Sequence, residues 1–168
     1  MNIIKTHWLK IILFAALLIF SIYNYKKYRI APTLAAPEIQ FTNSNNETFT
    51  LENFSNKNAI VIFAASWCRD CREEIPALEI MKQELGNTDF HFITLTDDSF
   101  EKIERFKAAT GSTFDFYKLK KSLKESDVHS IPTAYIMNKK GEVVFSHVGN
   151  YLWNTPETIK KIRTLVSE

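Results

Sequence analysis

Cysteine, glycine and proline are all scarce in this 168-residue chain, which has 2, 4 and 5 of them respectively. Two cysteines exclude a multi-disulfide framework and a zinc site built from four cysteines. So little glycine and proline, with no low-complexity tract, argues against a disordered chain. Acid is missing from the first 30 residues, which carry five Lys/Arg. The formal charge of +2 therefore misleads, because setting those five aside leaves 16 basic against 19 acidic residues, a net −3. A nucleic-acid partner has no electrostatic support in that balance. The length allows one domain with a real core plus an appendage.

The appendage is N-terminal. Ile11 to Ile22 is apolar apart from Ser21, with Trp8 and Leu9 before it and Tyr23 and Tyr25 after it. Trp8 to Tyr25 is about long enough to span a bilayer if Lys10 snorkels. Trp8, Tyr23, Tyr25 and Tyr28 suit the two interfaces. A cleaved signal peptide needs a small-residue site just after the apolar run. Here Lys26, Lys27 and Arg29 stand there, and Leu34-Ala35-Ala36 lies too far downstream, so residues 1–30 read as an uncleaved membrane anchor. Its all-round apolar character does not suit a helix buried in a water-soluble domain. Orientation does not follow from charge: Lys5, Lys10 and the terminal amine balance the basic cluster that follows.

Residues 31–37, with two prolines, read as a linker, and 38–168 as the folded domain. Glu38 to Phe41 and Thr48 to Leu51 form a strand pair about Asn43-Ser44-Asn45-Asn46. Asn53 to Asn58 is a loop. Ala59 to Ala65 is apolar throughout, as expected of a central strand covered on both faces. Arg69 to Leu85 is a helix with Ile75, Leu78, Met81 and Leu85 on one face, an internal Pro76 that should kink it, and a stop at Gly86-Asn87. Phe90 to Leu95 is a strand. Asp97-Asp98-Ser99 can cap a helix from Phe100 to Ala109, which Gly111 ends. Thr113 to Tyr117 reads as a short strand and Lys118 to Glu125 as a short basic helix with a solvated face. Thr133 to Met137 and Glu142 to Val148 form a hairpin around Asn138-Lys139-Lys140-Gly141. A last helix starts at Thr155-Pro156 and runs to about Val166. Helices between the early strands imply parallel pairing and the late hairpin adds antiparallel strands, giving a mixed sheet flanked by helices. Phe41, Phe63, Phe90 and Phe92 belong to its core.

The chemistry concentrates at Phe63-Ala64-Ala65-Ser66-Trp67-Cys68-Arg69-Asp70-Cys71-Arg72-Glu73-Glu74-Ile75-Pro76. A strand that ends in Trp-Cys-x-x-Cys and continues as a helix puts the first sulfur at a helix N-terminus. Unpaired N–H groups and the helix dipole favour a thiolate there. Such a pair can cycle between dithiol and disulfide, with Cys68 exposed and nucleophilic and Cys71 shielded and resolving. A purely structural disulfide around so small a loop adds little stability. A zinc half-site needs two more ligands, and His91, His129 and His147 are scattered.

These residues resemble the thioredoxin superfamily, and within it the membrane-associated, extracytoplasmic TlpA/ResA-type thiol-disulfide oxidoreductases. Ser66-Trp67-Cys68-Arg69-Asp70-Cys71 is similar to the family's active site, and Glu73-Glu74-Ile75-Pro76 to its acidic-x-Pro continuation. Ser130-Ile131-Pro132-Thr133, with the hairpin behind it, is similar to the family's cis-proline loop. The resemblance covers about Glu38 to Glu168. It implies a thioredoxin-like α/β fold with a mixed β-sheet, an N-terminal β-hairpin extension and an N-terminal transmembrane helix.

The resemblance further implies that Pro132 is cis and faces Cys68. The Ile131 backbone would then be turned toward the cysteines, where it could pair with an extended substrate. Glu74, one turn after Cys71 on the same helix face, is implied to be the acid/base carboxylate, with a pKa raised if it is partly buried. Glu73 is a surface residue. Trp67 is expected half exposed over the site, and His129 solvent-exposed. Two departures stand out. The buried Asp that thioredoxins carry six residues before the first cysteine is here Ile62, which shifts proton handling to Glu74 or water. Arg69 should favour the Cys68 thiolate and Asp70 oppose it.

The reading is an anchored thiol-disulfide oxidoreductase, its catalytic domain on the periplasmic side of the inner membrane. It acts on protein disulfides or dithiols, draws on a membrane thiol donor, and needs no cofactor beyond the Cys68–Cys71 pair. Reduction, general or as in cytochrome c maturation, is favoured over net oxidation. The alternative from another class is a thioredoxin-fold binding module with its disulfide locked. A thiol peroxidase lacks the expected Thr-x-x-Cys, since Ala65 stands three before Cys68.

Overall fold

The computed structural model describes residues 2–34, 37–86 and 90–167. Helix α1 (Asn2–Arg29) precedes a seven-stranded sheet: β1 (Phe41–Thr42), β2 (Thr48–Phe49), β3 (Asn58–Phe63), β4 (Phe90–Thr96), β5 (Asp115–Leu119), β6 (Thr133–Met137) and β7 (Val143–Val148). Helices α2 (Arg69–Leu85) and α3 (Phe100–Thr110) lie between the early strands, and α4 (Pro156–Ser167) closes the chain. The strand order is β2-β1-β5-β4-β3-β6-β7. β3, β4 and β5 run parallel, while β1, β2, β6 and β7 pair antiparallel. This is the thioredoxin-like mixed sheet, with the N-terminal hairpin added at the β5 edge through Phe41 opposite Leu119.

The apolar run of β3 has a simple cause. Ile60, Ile62 and Ala64 face one core, and Ala59, Val61, Phe63 and Ala65 the other. A strand alternates its side chains, so burial on both faces leaves no polar position. The first core is filled by Ile75, Leu78 and Met81 of α2, Phe106 of α3 and Ile159 and Ile162 of α4. The second is closed by Ile39, Leu51, Leu123 and Val128, from the N-terminal segment and the turns after β5. Ala31 and Leu34, in the expected linker, pack against it too.

Helix α2 runs through Pro76 and stops where Gly86 (φ +80°) donates its N–H to the Lys82 carbonyl. Asn87, the other half of the expected stop, lies outside the described residues, as do Ala35, Ala36 and Glu168. The expected basic helix at Lys118 to Glu125 is absent. Lys118 and Leu119 instead continue β5, opposite Thr42 and Phe41, and Lys120 N–H bonds the Gln40 carbonyl. Turns follow to Asp127, whose φ of +61° no helix allows. Tertiary pairing overrides helix propensity here, since Leu119 gains a buried place at the sheet edge. Leu51–Phe54, split between strand and loop in the sequence reading, is a short 3-10 helix.

In α1, Lys10–Arg29 is long and apolar enough to cross a membrane, and none of it is buried in the protein. Those 20 residues extend about 30 Å as a helix, the thickness of a bilayer's hydrocarbon core.

Candidate active site

The end of β3 delivers the chain to a turn at Ser66-Trp67, and α2 starts at Arg69. Cys68 is the N-cap of α2, and its Sγ accepts the Cys71 N–H at 3.1 Å. This is the place where a helix leaves donors unpaired, so charge on this sulfur is stabilised by hydrogen bond and dipole together. Cys68 and Cys71 are joined in a disulfide. Cys68 is only 7% exposed and Cys71 1%. The order matches the expectation, but the outer cysteine is far less open than the sequence reading assumed. Trp67 departs the other way, at 68% exposed rather than half.

Arg69 pairs with Glu73, Nε to Oε1 at 2.9 Å on the protein surface. That ion pair holds the guanidinium to a carboxylate, so less of its charge is free to favour a thiolate.

Ser66, just before the Trp-Cys pair, is held from both sides. Its N–H donates to Asp98 Oδ2 at 2.6 Å, and its carbonyl accepts from the Arg72 guanidinium, with Nε at 2.9 Å. Asp98 is 6% exposed, lies between β4 and α3, and also meets the Thr96 hydroxyl. The expected cap Asp97-Asp98-Ser99 is thus three separate devices. Ser99 caps α3, Asp97 accepts the Leu123 N–H, and Asp98 braces the active-site turn. A hint was available: one residue suffices to cap a helix, which leaves two acids to explain. Asp98→Ala orphans the Ser66 N–H and is expected to cost about 1–3 kcal/mol of stability. Urea unfolding of the oxidised protein measures it, and no loss would mean that the brace carries no weight.

Glu74 is 2% exposed. Burial pushes its pKa from 4.5 up to about 7, against the pull of hydrogen bonds from the Trp153 indole and the Tyr151 backbone. The indole Nε1–H donates to Oε1, while Oε2 is buried with no partner among the described residues. Trp153 is fully buried and stands 79 residues from Glu74 in sequence. Sequence reasoning missed it, because nothing local to Asn150-Tyr151-Leu152-Trp153 points back to α2. Ile62, at the position of thioredoxin's Asp, is 1% exposed and purely apolar.

The Ile131-Pro132 peptide bond is cis. Its neighbours are tied down: Thr133 Oγ1 donates to the Ser130 carbonyl at 2.6 Å, and Gly149 N–H to the Pro132 carbonyl at 2.8 Å. The N–H and C=O of Ile131 have no hydrogen-bond partner among the described residues. Ile131 and Trp67 line the same groove. His129, expected in solvent, is partly covered and meets Asp127 at 3.0 Å.

A thioredoxin-like fold that carries a Cys-x-x-Cys disulfide at a helix N-terminus, with a cis-proline loop, defines the class of thiol-disulfide oxidoreductases. Residues 32–146 match the AhpC/TSA family, and the chain belongs to it. Thioredoxin-like protein YneN of Bacillus subtilis is 30% identical over 136 residues, 78% of this chain and 79% of that protein. Thiol-disulfide oxidoreductase ResA of the same species is 23% identical over 131 residues, 74% and 73% of the two chains. The crystal structure of StoA from Bacillus subtilis superposes with a TM-score of 0.59 at 24% identity, covering 77% of this chain and 98% of that one, a likeness of fold. The protein is a thioredoxin-like thiol-disulfide oxidoreductase of the ResA/StoA type.

Proposed function

We propose that the protein is a membrane-anchored reductase of protein disulfides outside the cytoplasm. In this reading Trp8 to Tyr25 spans the bilayer and a membrane thiol donor keeps the enzyme reduced. The Cys68 thiolate attacks a substrate disulfide, one substrate sulfur leaves as a thiolate, and a mixed disulfide forms. Glu74, as carboxylate, takes the Cys71 proton. The Cys71 thiolate then attacks Cys68 Sγ, releasing the second substrate thiolate and closing Cys68–Cys71. Two electrons pass from enzyme to substrate. Ile131 pairs its free backbone groups with the substrate chain beside cis-Pro132, and Trp67 lies along it. Cytochrome c maturation, the role in the resembled family, is one setting for such a reductase.

The observation that carries this reading is the pairing of a helix-capping Cys68 with a buried Glu74 one turn beyond Cys71, whose pKa of about 7 suits proton transfer near neutrality. The Cys68–Cys71 reduction potential tests the direction. A value near thioredoxin's, about −270 mV, is expected, whereas one near DsbA's, about −120 mV, would make the protein an oxidase. Alkylation of reduced Cys68 in whole cells by a membrane-impermeant reagent tests the side. Labelling only after lysis would place the domain in the cytoplasm.

A further inference from the structure

The last turn of α1 is fastened to the loop before Pro132, and the segment after it to β6 and the second core. The Ser130 hydroxyl donates to the Tyr28 carbonyl at 3.0 Å, and the Tyr28 ring meets the His129 ring edge-on at 6.4 Å. Four residues on, the Tyr135 hydroxyl donates to the Pro32 carbonyl at 2.9 Å. Ala31 and Leu34 are packed on the second core. Ser130 and His129 immediately precede Ile131-Pro132, so the last turn of α1 is tied to the loop that stands by the disulfide. A groove of about 450 Å³ is lined by Lys27 and Tyr28 of α1 together with Trp67, Leu123, His129 and Ile131. One wall of the groove beside the active site is therefore the end of the anchor.

We propose that this groove takes an extended, cysteine-bearing segment of a second membrane-inserted protein, with the cysteine within a few residues of the bilayer. The inference rests on the anchor reading above. Under that reading Lys26, Lys27 and Arg29 mark the headgroup level, and Tyr28 sits at the interface. A groove walled by Lys27 and Tyr28 then opens at the membrane surface. A segment leaving the bilayer beside α1 enters it directly. A cysteine far out on a long soluble tail must be brought back to that surface at a cost in chain entropy. Lys124 joins Lys27 on the lining, against Asp97 alone among the acids, whose carboxylate already accepts the Leu123 N–H. The surplus of positive charge fits a partner with acidic residues next to its cysteine.

The full chain in phosphatidylcholine/phosphatidylglycerol vesicles tests this. The probe is a single-span peptide whose acidic tail carries one cysteine as its thionitrobenzoate mixed disulfide. The cysteine is placed about four or about thirty residues beyond the span, reaching ~14 or ~100 Å when extended. Reduced enzyme releases coloured thionitrobenzoate, and rates are normalised to a free small-molecule disulfide. The near cysteine is expected to react about tenfold faster or more. Inserting about twelve Gly/Ser residues between Arg29 and Ile30 lets the domain stand off by tens of ångströms, and is expected to bring the two rates within about twofold. Equal near and far rates in the wild type, or a preference that survives the insertion, would overturn the inference alone. Release of the protein from vesicles by alkaline carbonate would overturn the anchor reading, and this inference with it.

Discussion

Cys68→Ser is expected to lower turnover of a protein disulfide by about a thousandfold or more, because a serine hydroxyl supplies no thiolate at neutral pH. The loss is chemical rather than structural. Serine is a good N-cap and can accept the Cys71 N–H in place of the sulfur. The disulfide closes only a three-residue separation, so its removal costs little in chain entropy. Cys71→Ser behaves differently. The first exchange at Cys68 survives, but nothing resolves it, so a mixed disulfide accumulates. Insulin reduction gives the rates, and intact-mass spectrometry detects the trapped adduct. Wild-type turnover no faster than that of Cys68→Ser would show that the pair is locked and the protein a binding module. Normal turnover in Cys71→Ser would remove Cys71 from the resolving role.

Glu74→Gln carries the second large effect, and its sign depends on pH. Burial raises the Glu74 pKa from 4.5 to about 7, so the folded protein binds a proton that the unfolded chain releases between those values. Below about pH 4.5 both states hold the proton and the residue has no pH-dependent cost. Between pH 4.5 and about 7 the unfolded chain ionises while the folded residue stays protonated, so stability falls by up to about 3 kcal/mol across that window and levels off above it, where the folded state carries a buried charge. Glutamine keeps an oxygen for the Trp153 indole and never ionises. The variant is expected to match wild type at pH 4 and to be the more stable of the two at pH 8, by urea unfolding of the oxidised form. In catalysis the sign reverses. Without a carboxylate to take the Cys71 proton, resolution of the mixed disulfide slows by about 10²-fold, and the inflection near pH 7 leaves the pH–rate profile. An unchanged profile would exclude Glu74 as the proton acceptor.

Much of this was legible in the sequence because it is local. The Trp-Cys-x-x-Cys turn lies between an all-apolar run and an amphipathic segment, so strand, nucleophile site and helix follow from adjacent residues. The spacing of Ile75, Leu78 and Met81 names the face of α2 that packs, and Gly141 in Asn138-Lys139-Lys140-Gly141 names a turn. The composition of residues 1–30 marks an apolar helix without reference to anything else in the chain. The failures were also physical. Lys118 and Leu119 have helix-compatible side chains, but the β5 edge was open and the N-terminal hairpin paired with it. Cys68 reads as exposed from its place at a helix start, yet it is buried at the edge of the first core.

What only the tertiary structure decided is how charge and polarity meet across long sequence separations. Trp153 reaches Glu74 over 79 residues, Asp98 reaches Ser66 over 32, and Ser130 reaches Tyr28 over 102. No periodicity encodes these meetings, because each depends on where two elements pack rather than on the pattern within either. The sequence by itself determined that this protein is a thioredoxin-like oxidoreductase that carries a Cys68–Cys71 pair at the start of α2. Burial in the assembled fold decided the raised pKa of Glu74, the bracing of the turn before Cys68 and the closeness of the end of α1 to the loop before Pro132, because solvent exclusion and side-chain contact exist only once the sheet and helices are in place.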